Sequence, residues 1–408
     1  MKLFKLSLAA AMAAGALATS ANAVALEEAI KDVDVSGFAW MRVDWYDDNY
    51  AAAGAGHNKK DHAWKFKSVV NTKVAVDDNF FFVAGVRYAV DEDPATGRET
   101  DASTTGFDLY QGYLGYTVGG TTFQLGRQKI GAFFTDDMYG DGIKVVNADI
   151  EGLVLAALWM DALEADGDID LLKDDLSALG ITQNAKGHNM LVDGKSLIQN
   201  DLWGVAAIGS YDPVSFQIWY AYLQDVVGLF AVEGAVSFDV AEDVNLGLKL
   251  QYAFSDFDAD YKALGVDDAD FFGLEASTAF FGVDFSAGYL QYETDSTVHS
   301  RVSFEDQGSF ISPGEELLDY GNFVGDNKAW FITAGYSIPD TGLRIGLDWV
   351  QGKFGDTGAN DGVKAWETVA RVDYKYNKKL SFTTWWSHVD SEDGDQDDHV
   401  RFQAKYAF

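Results

Sequence analysis

The chain ends in Val400-Arg401-Phe402-Gln403-Ala404-Lys405-Tyr406-Ala407-Phe408, and this stretch decides the predicted fold. Apolar residues occupy every second position, and Arg401, Gln403 and Lys405 lie between them. Successive side chains of a β-strand point to opposite faces, so one face is apolar and aromatic while the other is mostly charged or polar. A soluble β-sandwich can show the same alternation, but it has little reason to end on an exposed aromatic residue. A membrane barrel has an apolar outer face with aromatic residues at both interfaces, so the stretch predicts the closing strand of an outer-membrane β-barrel.

The first 23 residues have the pattern of a secretory signal peptide. Lys2 and Lys5 give a positive start, residues 6–18 form an apolar stretch, and Ala21-Asn22-Ala23 is an A-x-A cleavage site. The apolar stretch is too short for a membrane-spanning helix. The mature chain is expected to begin at Val24, and removing two lysines and no acids changes the formal charge from −34 to −36.

The composition favours many strands separated by turns. Of 408 residues, 48% are hydrophobic and 14% aromatic, with 41 glycines and 4 prolines. No later segment has the apolar length of a transmembrane helix, and without cysteine the chain has neither disulfides nor thiol chemistry. The negative charge disfavours nucleic acid as a partner and permits attraction of cations. No Pro- or Ser-rich linker interrupts residues 24–408, so they are expected to form a single domain.

Short turns and longer loops alternate along this domain. The predicted short turns lie at 77–79, 119–120, 149–152, 212–214, 240–243, 281–283, 339–342 and 377–379. The predicted longer loops lie at 47–61, 91–106, 130–142, 162–201, 256–270, 294–328, 353–363 and 391–399, with a tight bend at 225–227 on the same side. Short turns at one end and long loops at the other are typical of bacterial outer-membrane proteins. The pattern predicts an all-β fold, a transmembrane antiparallel β-barrel of eighteen strands.

The polar faces of the predicted strands fit a water-filled interior. Lys249 and Gln251 alternate with leucines, and Arg371 lies in a strand with the same alternation. A basic side chain facing lipid at the midplane costs about 2–4 kcal/mol, so these side chains are expected to face the lumen. A barrel of this size encloses an aqueous channel. The rival fold, an assembly of soluble sandwiches, would leave Trp366 and Tyr374 facing water.

Several segments resemble the major outer-membrane porins of Campylobacter and related epsilon-proteobacteria. They are Leu26-Glu27-Glu28-Ala29-Ile30-Lys31-Asp32-Val33-Asp34-Val35-Ser36-Gly37, Gly142-Ile143-Lys144-Val145-Val146-Asn147, Glu305-Asp306-Gln307-Gly308, Ala370-Arg371-Val372-Asp373-Tyr374-Lys375-Tyr376 and the closing strand. The resemblance extends over the whole chain. It implies a trimer of eighteen-stranded general-diffusion porins whose third outer loop folds inward as a constriction. It also implies a calcium ion held by acidic residues near that constriction.

The third long loop, residues 131–142, is the candidate constriction. Its expected contributions are apolar packing on the inner wall by Phe133 and Phe134, and pore-facing acids at Asp136, Asp137 and Asp141. The alternative is an ordinary exposed loop whose acids are solvated. The resemblance favours the constriction.

Basic residues of the early strands are candidates for the opposite wall. They are Arg42, Lys65, Lys67, Arg87 and Arg127. Basic groups facing acids would create a transverse field that orients polar solutes. Alternatively, these residues neutralise lumen carboxylates and keep the wall hydrated. With 64 acids in the chain, a mild cation preference is expected.

The calcium ligands implied by the resemblance are Asp170 and Glu305, completed by a third-loop aspartate such as Asp136. Calcium takes six to eight oxygen ligands, and no EF-hand-like sequence is present to supply them locally. Chance proximity among the many acids is the alternative. The acidic stretches 256–270 and 392–398 are either bridged by divalent cations to lipopolysaccharide phosphates or simply solvated.

The sequence predicts passive diffusion of small hydrophilic solutes and ions through the outer membrane, with no catalytic residue. The six histidines are scattered, and the H-E-x-x-H, G-x-S-x-G and phosphate-loop patterns are missing. A barrel enzyme is the enzymatic alternative, but such enzymes generally use narrower barrels. The same fold is also compatible with a solute-selective porin that has an aromatic binding track, and with a surface adhesin or structural protein.

Overall fold

The computed structural model describes residues 33–50, 57–93, 97–99, 107–164, 200–241, 243–296, 298–358 and 360–408. The predicted signal peptide, residues 1–23, lies outside these ranges. The strands are β1 (Val33–Tyr50), β2 (His57–Ala75), β3 (Phe80–Asp93), β4 (Gly97–Glu99), β5 (Phe107–Val118), β6 (Thr121–Lys129), β7 (Tyr139–Ile150), β8 (Leu153–Leu163), β9 (Leu202–Tyr211), β10 (Val214–Leu223), β11 (Val227–Ala241), β12 (Val244–Phe257), β13 (Ala269–Phe280), β14 (Val283–Thr294), β15 (Asp326–Ile338), β16 (Leu343–Asp356), β17 (Asp361–Lys375), β18 (Leu380–Ser391) and β19 (Gln396–Ala407). A short helix, α1, spans Ala259–Lys262. Among the described residues, no helix is long and apolar enough to cross a membrane.

Eighteen of these strands form one closed antiparallel barrel, as predicted. Each pairs with its neighbours along the chain, and β1 pairs with both β2 and β19. The three-residue strand β4 pairs only with the C-terminal residues of β3. It is not one of the barrel strands, because β3 pairs directly with β5. Closure leaves the barrel without an unpaired sheet edge. A membrane-spanning sheet must be closed in this way, because lipid cannot form hydrogen bonds with an exposed edge.

The C-terminal stretch is the closing strand. Val400 lies opposite Trp45 and Ala407 lies opposite Phe38 in the register of β19 with β1. The backbone N–H of Gly37 donates to the carbonyl oxygen of Phe408 at 3.1 Å, and the N–H of Phe408 donates back to the carbonyl of Gly37 at 3.0 Å. The terminal aromatic residue therefore completes the hydrogen-bonded seam.

The connections follow the predicted alternation of turns and loops. In the turn between β2 and β3, Oδ1 of Asp77 accepts hydrogen bonds from the N–H groups of Phe80 at 2.7 Å and Asn79 at 2.8 Å. These bonds, most of all the one from Phe80, lower the pKa of this exposed carboxylate. At the other end lie two longer connections, L3 between β6 and β7 (residues 130–138) and L7 between β14 and β15 (residues 295–325).

The strands alternate between a membrane face and an inner face, as predicted. In β12, the side chains of Leu248 and Leu250 are 47% and 46% exposed, whereas Gln251 and Ala253 are each 1% exposed. The exposed leucines face the lipid, and the buried residues face loops inside the barrel. The membrane thus takes the place of a solvent for the apolar outer face.

A hydrophobic cluster lies inside the barrel, and it is larger than the predicted packing of Phe133 and Phe134 on the inner wall. It joins L3 and L7 to the inward faces of β8–β16. Phe310 of L7 is central, because its ring centroid lies 4.8 Å from that of Phe133 in L3 and 4.6 Å from that of Phe271 in β13. Aromatic rings at such distances add to the stabilisation from burial. One half of the inner wall therefore holds the loops, and the other half, around β1, β2 and β19, carries charged side chains.

Candidate functional site

L3 folds inward and is held by L7. The N–H of Ile130 donates to the carbonyl of Met138 at 2.9 Å, which closes the base of L3. The carbonyl of Phe134 accepts from the N–H of Phe304 at 2.9 Å, and the carbonyl of Phe133 accepts from the N–H of Ser309 at 2.7 Å. The inward-folded third loop is therefore confirmed. Its two phenylalanines pack on L7, which in turn packs on the wall.

Glu305 of L7 organises the turn of L3. Its Oε2 atom accepts hydrogen bonds from the backbone N–H groups of Asp136 at 2.9 Å and Met138 at 2.8 Å. The Glu305 side chain is buried, whereas Asp136 is exposed. A buried carboxylate needs such donors, because an unsatisfied charge in the interior is costly.

The calcium site stays a prediction. Asp170 lies outside the described residues, and Oε2 of Glu305 already accepts two backbone hydrogen bonds. Within the part of the chain that the structure describes, no group of three or more His, Cys, Asp or Glu side chains is placed to hold a metal ion.

Asp137 ties L3 to the barrel wall. Nζ of Lys67 in β2 lies 3.0 Å from Oδ2 of Asp137. Burial raises the pKa of Asp137, but the charge and hydrogen bond of Lys67 outweigh it, and the net effect is a lowered pKa. The carboxylate is therefore held in its charged form on the inward-folded L3. Lys67 and Asp137, both singled out in the sequence, meet in space.

Asp141 and Arg127 pair within the wall. Asp141 was assigned to the third loop, but β7 begins at Tyr139, so Asp141 lies in that strand opposite Arg127 of β6. Nη1 of Arg127 lies 3.0 Å from Oδ2 of Asp141, and its Nε donates to the carbonyl of Tyr110 at 3.1 Å. This pair joins three neighbouring strands and lies beyond the end of L3.

The remaining basic residues of the predicted set also lie in the wall with partners. Arg87 contacts the carboxylates of Glu164 and, at 3.3 Å, Asp108. Lys65 lies 3.7 Å from Asp44. In Arg42, Nη2 and Nε donate to Oε1 of Gln403 at 2.8 and 3.1 Å. For Lys65 and Arg87, neutralisation of wall carboxylates describes the observed contacts.

A docking site for L7 on β17 was missed in the sequence. Glu367 is buried and accepts from the N–H groups of Glu315, Glu316 and Leu317 at 2.8, 3.1 and 3.2 Å. Its Oε1 also accepts from the hydroxyl of Ser387 at 2.6 Å. These donors compensate the burial of the carboxylate and fix the L7 backbone against the wall.

Gly314 makes this approach possible. Its φ of +85° lies in the left-handed region, and a Cβ at this position would overlap Oε2 of Glu367. Only glycine meets both requirements without strain.

A second docking contact for L7 comes from β12. Oε1 of Gln251 accepts from the N–H of Ile311 at 2.8 Å, and its Nε2 donates to the carbonyl of Ser309 at 3.0 Å. Gln251 was predicted to line a wet lumen, but it binds the backbone of a loop. The apolar residues of L7 are the sequence signal that could have revealed its inward position, and they include Phe304, Phe310, Tyr320 and Phe323.

Arginine and lysine side chains in cation–π contact with aromatic rings line the half of the wall opposite the hydrophobic cluster. Four of the pairs are Arg42 over Trp40 at 4.6 Å, Lys73 over Phe81 at 4.3 Å, Arg401 over Trp385 at 4.9 Å and Lys405 over Phe38 at 4.6 Å. Placement over a ring face stabilises a cation and fixes its position. The barrel therefore holds two inward loops against one half of its wall. The other half carries arginine and lysine side chains whose positions are fixed by aromatic rings.

Comparison with known families decides which family this barrel represents. A family model described as Campylobacter major outer membrane protein matches residues 1–408. The chain belongs to this family. The resemblance found in the sequence is thereby confirmed, and a Campylobacter major outer membrane protein lies in the outer membrane. A search of curated proteins gives no match.

Solved structures share the fold. OpdL from Pseudomonas aeruginosa has a TM-score of 0.70 at 16% identity, covering 93% of this chain and 99% of that chain. The outer membrane protein OpdK from Pseudomonas aeruginosa has a TM-score of 0.68 at 13% identity, covering 92% and 99%. OccAB4 from Acinetobacter baumannii has a TM-score of 0.68 at 13% identity, covering 92% and 98%. At these identities the likeness shows the fold. The family and this fold together support an outer-membrane porin.

Proposed function

We propose that this porin is a general-diffusion channel for small hydrophilic solutes and ions. The observation that carries the proposal is the pair of inward loops, L3 and L7, fixed inside a closed barrel and facing a charged wall. A constriction held by buried hydrogen bonds keeps a constant width, so it sieves solutes by size without a binding step. Transport is passive in this mechanism, and no residue is assigned a catalytic role.

Lumen charge biases the flow of ions. The chain has a formal charge of −34, and acids such as Asp136 lie exposed on the constriction loop. We expect a weak to moderate preference for cations, although the ordered cations on the opposite wall reduce it. The reversal potential across a planar bilayer in a salt gradient measures this preference. Anion preference would contradict it.

Solute flux and conductance test the general-diffusion mechanism. The purified protein is reconstituted into liposomes, and swelling rates are measured for a series of neutral sugars of increasing size. The rates are expected to fall smoothly with size, and single-channel steps in planar bilayers are expected to scale with salt concentration. Protein denatured by heat serves as the control. A chain that acts only as an adhesin or anchor would give no conductance steps.

A solute-selective porin is the second candidate, and the four cation–aromatic pairs favour it. Arg42, Lys73, Arg401 and Lys405 are held in fixed positions that suit sequential contacts with an anionic group on a solute. Saturable flux of one small carboxylate, inhibited by its own excess, would support this candidate. Linear flux for many solutes would support general diffusion.

The assembly and cofactors are also proposals. A homotrimer is expected from the family, and chemical crosslinking in detergent and in outer-membrane vesicles tests it. Calcium bound by Glu305, Asp136 and Asp170 is tested by single-channel conductance with and without a chelator, where loss of a stable open current on chelation would support the site. Contact with lipopolysaccharide through the acidic loops predicts that divalent cations strengthen binding to lipopolysaccharide vesicles.

A further inference from the structure

His399 of β19 lies between two carboxylates that belong to different parts of the constriction. Its Nδ1 atom lies 2.6 Å from Oε1 of Glu316 in L7, and its Nε2 atom lies 3.2 Å from Oδ1 of Asp44 in β1. The His399 side chain is 3% exposed, and that of Asp44 is fully buried. Both ring nitrogens therefore face acceptors in a site from which water is largely excluded.

The groups around the imidazole fix its orientation. The charged and titratable groups that face it or its partners are Asp44 and Tyr46 of β1, Lys65 of β2, Arg401 of β19 and Glu316 of L7. The ring of Trp385 in β18 meets the imidazole edge-on at 4.5 Å. Arg401 Nε donates to Asp44 at 2.5 Å, so Asp44 keeps a cationic partner when His399 changes its charge.

The protonation state of His399 decides whether both contacts hold. An imidazolium has two N–H donors and can donate to both carboxylates at once. A neutral imidazole has one donor and one lone pair, and the lone pair would face a carboxylate oxygen. Asp44 is fixed in the wall by Arg401, whereas the side chain of Glu316 extends from a loop, so Glu316 is the contact that breaks.

We propose that His399 is a proton-controlled clamp that positions the Glu316 carboxylate at the constriction. With His399 protonated, the imidazolium draws Glu316 against the wall and neutralises it. When the proton leaves to solvent, Glu316 turns into the lumen and the site loses one positive charge. The L7 backbone stays in place, because Glu367 still binds the N–H groups of Glu315 and Glu316. Cation preference therefore increases as pH rises, without loss of the constriction.

Planar-bilayer recording across a pH series tests the clamp. An unperturbed histidine changes its charge between about pH 5 and 8. Unperturbed carboxylates and lysines titrate outside this range, so a step within it can be assigned to histidine. In the unmodified protein, the reversal potential is expected to shift toward cation selectivity with a sigmoidal dependence on pH. The variant His399→Gln is expected to lose this sigmoidal step. The matched control is His388→Gln, because His388 also pairs with a carboxylate, Asp398 at 3.1 Å, but stacks on the outward-facing Trp386. That control is expected to keep the step.

A second variant separates a clamp from a histidine that merely lines the pore. Glu316→Gln removes one of the two carboxylates that favour the imidazolium, so the midpoint of the step is expected to move to lower pH. An unchanged midpoint would overturn the proposal, as would a step that persists in His399→Gln. Should His399→Gln fail to fold, the Glu316→Gln midpoint still decides. The inference rests on the proposed channel function, and absence of conductance in the unmodified protein would instead refute that function.

Discussion

The ammonium group of Lys67 lies 3.0 Å from the carboxylate of Asp137 and joins the barrel wall at β2 to L3. The two residues are 70 positions apart in the chain. Their side chains are 23% and 48% exposed, so water reaches the pair and the gain from the contact is modest. The contact acts mainly by positioning L3, because it holds the acidic end of this loop against the basic side chains of the wall.

Removing this tether is expected to loosen L3. In Lys67→Gln, the open-channel current should become noisier, and the reversal potential should shift toward cations because one positive charge is lost from the pore. The matched control is Lys364→Gln, which breaks the exposed ion pair with Glu392 at 3.0 Å near the loop ends. A control channel as noisy as Lys67→Gln, or a Lys67→Gln channel as quiet as the unmodified protein, would contradict the role of the tether.

The buried carboxylate of Glu367 is expected to hold L7. Hydrogen bonds to a charged group contribute about 1.5–3 kcal/mol each in mutational series, so Glu367→Gln should destabilise the barrel and weaken L7 docking. A lowered thermal unfolding midpoint by circular dichroism and flickering of the single-channel current are the expected results. Glu392→Gln is the control, since its exposed pair with Lys364 contributes about 0–1 kcal/mol. An equal fall of the thermal unfolding midpoint in both variants would contradict the role of Glu367 in holding L7.

The closed barrel could be predicted from the sequence because its determinants are local. The alternation between Val400 and Phe408 recurs in many of the other strands, and turn residues such as Asp77 separate them. A side chain that faces lipid must be apolar, so each strand carries its own signal. The eighteen strands, and the ends at which turns and loops lie, followed from that rule together with the spacing of short turns and longer loops.

The positions of L3 and L7 could be predicted only in part, because long-range contacts with the backbone determine them. L3 is held by carbonyl and N–H groups that meet L7, and such contacts leave no periodic pattern. Calcium binding by Glu305 stays a prediction from the resemblance, whereas its hydrogen bonds from the N–H groups of Asp136 and Met138 had no signal in the sequence. Gln251 has the alternation of a lumen residue, and the sequence does not distinguish contact with water from contact with L7.

A pH effect is expected at the turn between β2 and β3. Because the pKa of Asp77 is lowered in the folded state, its charge stabilises the fold above the ordinary pKa of aspartate, and this contribution is lost as pH falls through the lowered pKa. Unfolding midpoints of the unmodified protein and Asp77→Asn should therefore differ at neutral pH and converge in strong acid. Asp78→Asn, which keeps the bonds from Phe80 and Asn79 to Asp77, is the control. A difference that persists at the lowest pH would contradict this assignment.

Close packing of L7 on Glu367 is expected to make Gly314 intolerant of any side chain. Gly314→Ala adds both the strain of a left-handed alanine, about 1–2 kcal/mol, and overlap with the carboxylate. Gly358→Ala is a matched control, since Gly358 has a φ of +72° but a Cβ added there would meet no atom of the described residues within 4 Å. The thermal midpoint should fall further in Gly314→Ala, and only that variant should show altered conductance. Equal effects would mean that backbone strain alone is responsible.

The membrane face of β12 gives a direct test of which side of the sheet meets lipid. Leu248 points outward, and Leu248→Lys is expected to destabilise the folded barrel by about 2–4 kcal/mol if the position lies near the midplane. Folding of Leu248→Lys into lipid vesicles, followed by the shift in mobility between folded and heat-denatured protein, should show a reduced folded fraction. The control is Lys249→Gln at the next position, where the inward side chain lies 3.9 Å from Glu275 and the exchange should be tolerated. If Leu248→Lys folds as efficiently as the unmodified chain, that face meets water, and the membrane orientation of the strand is wrong.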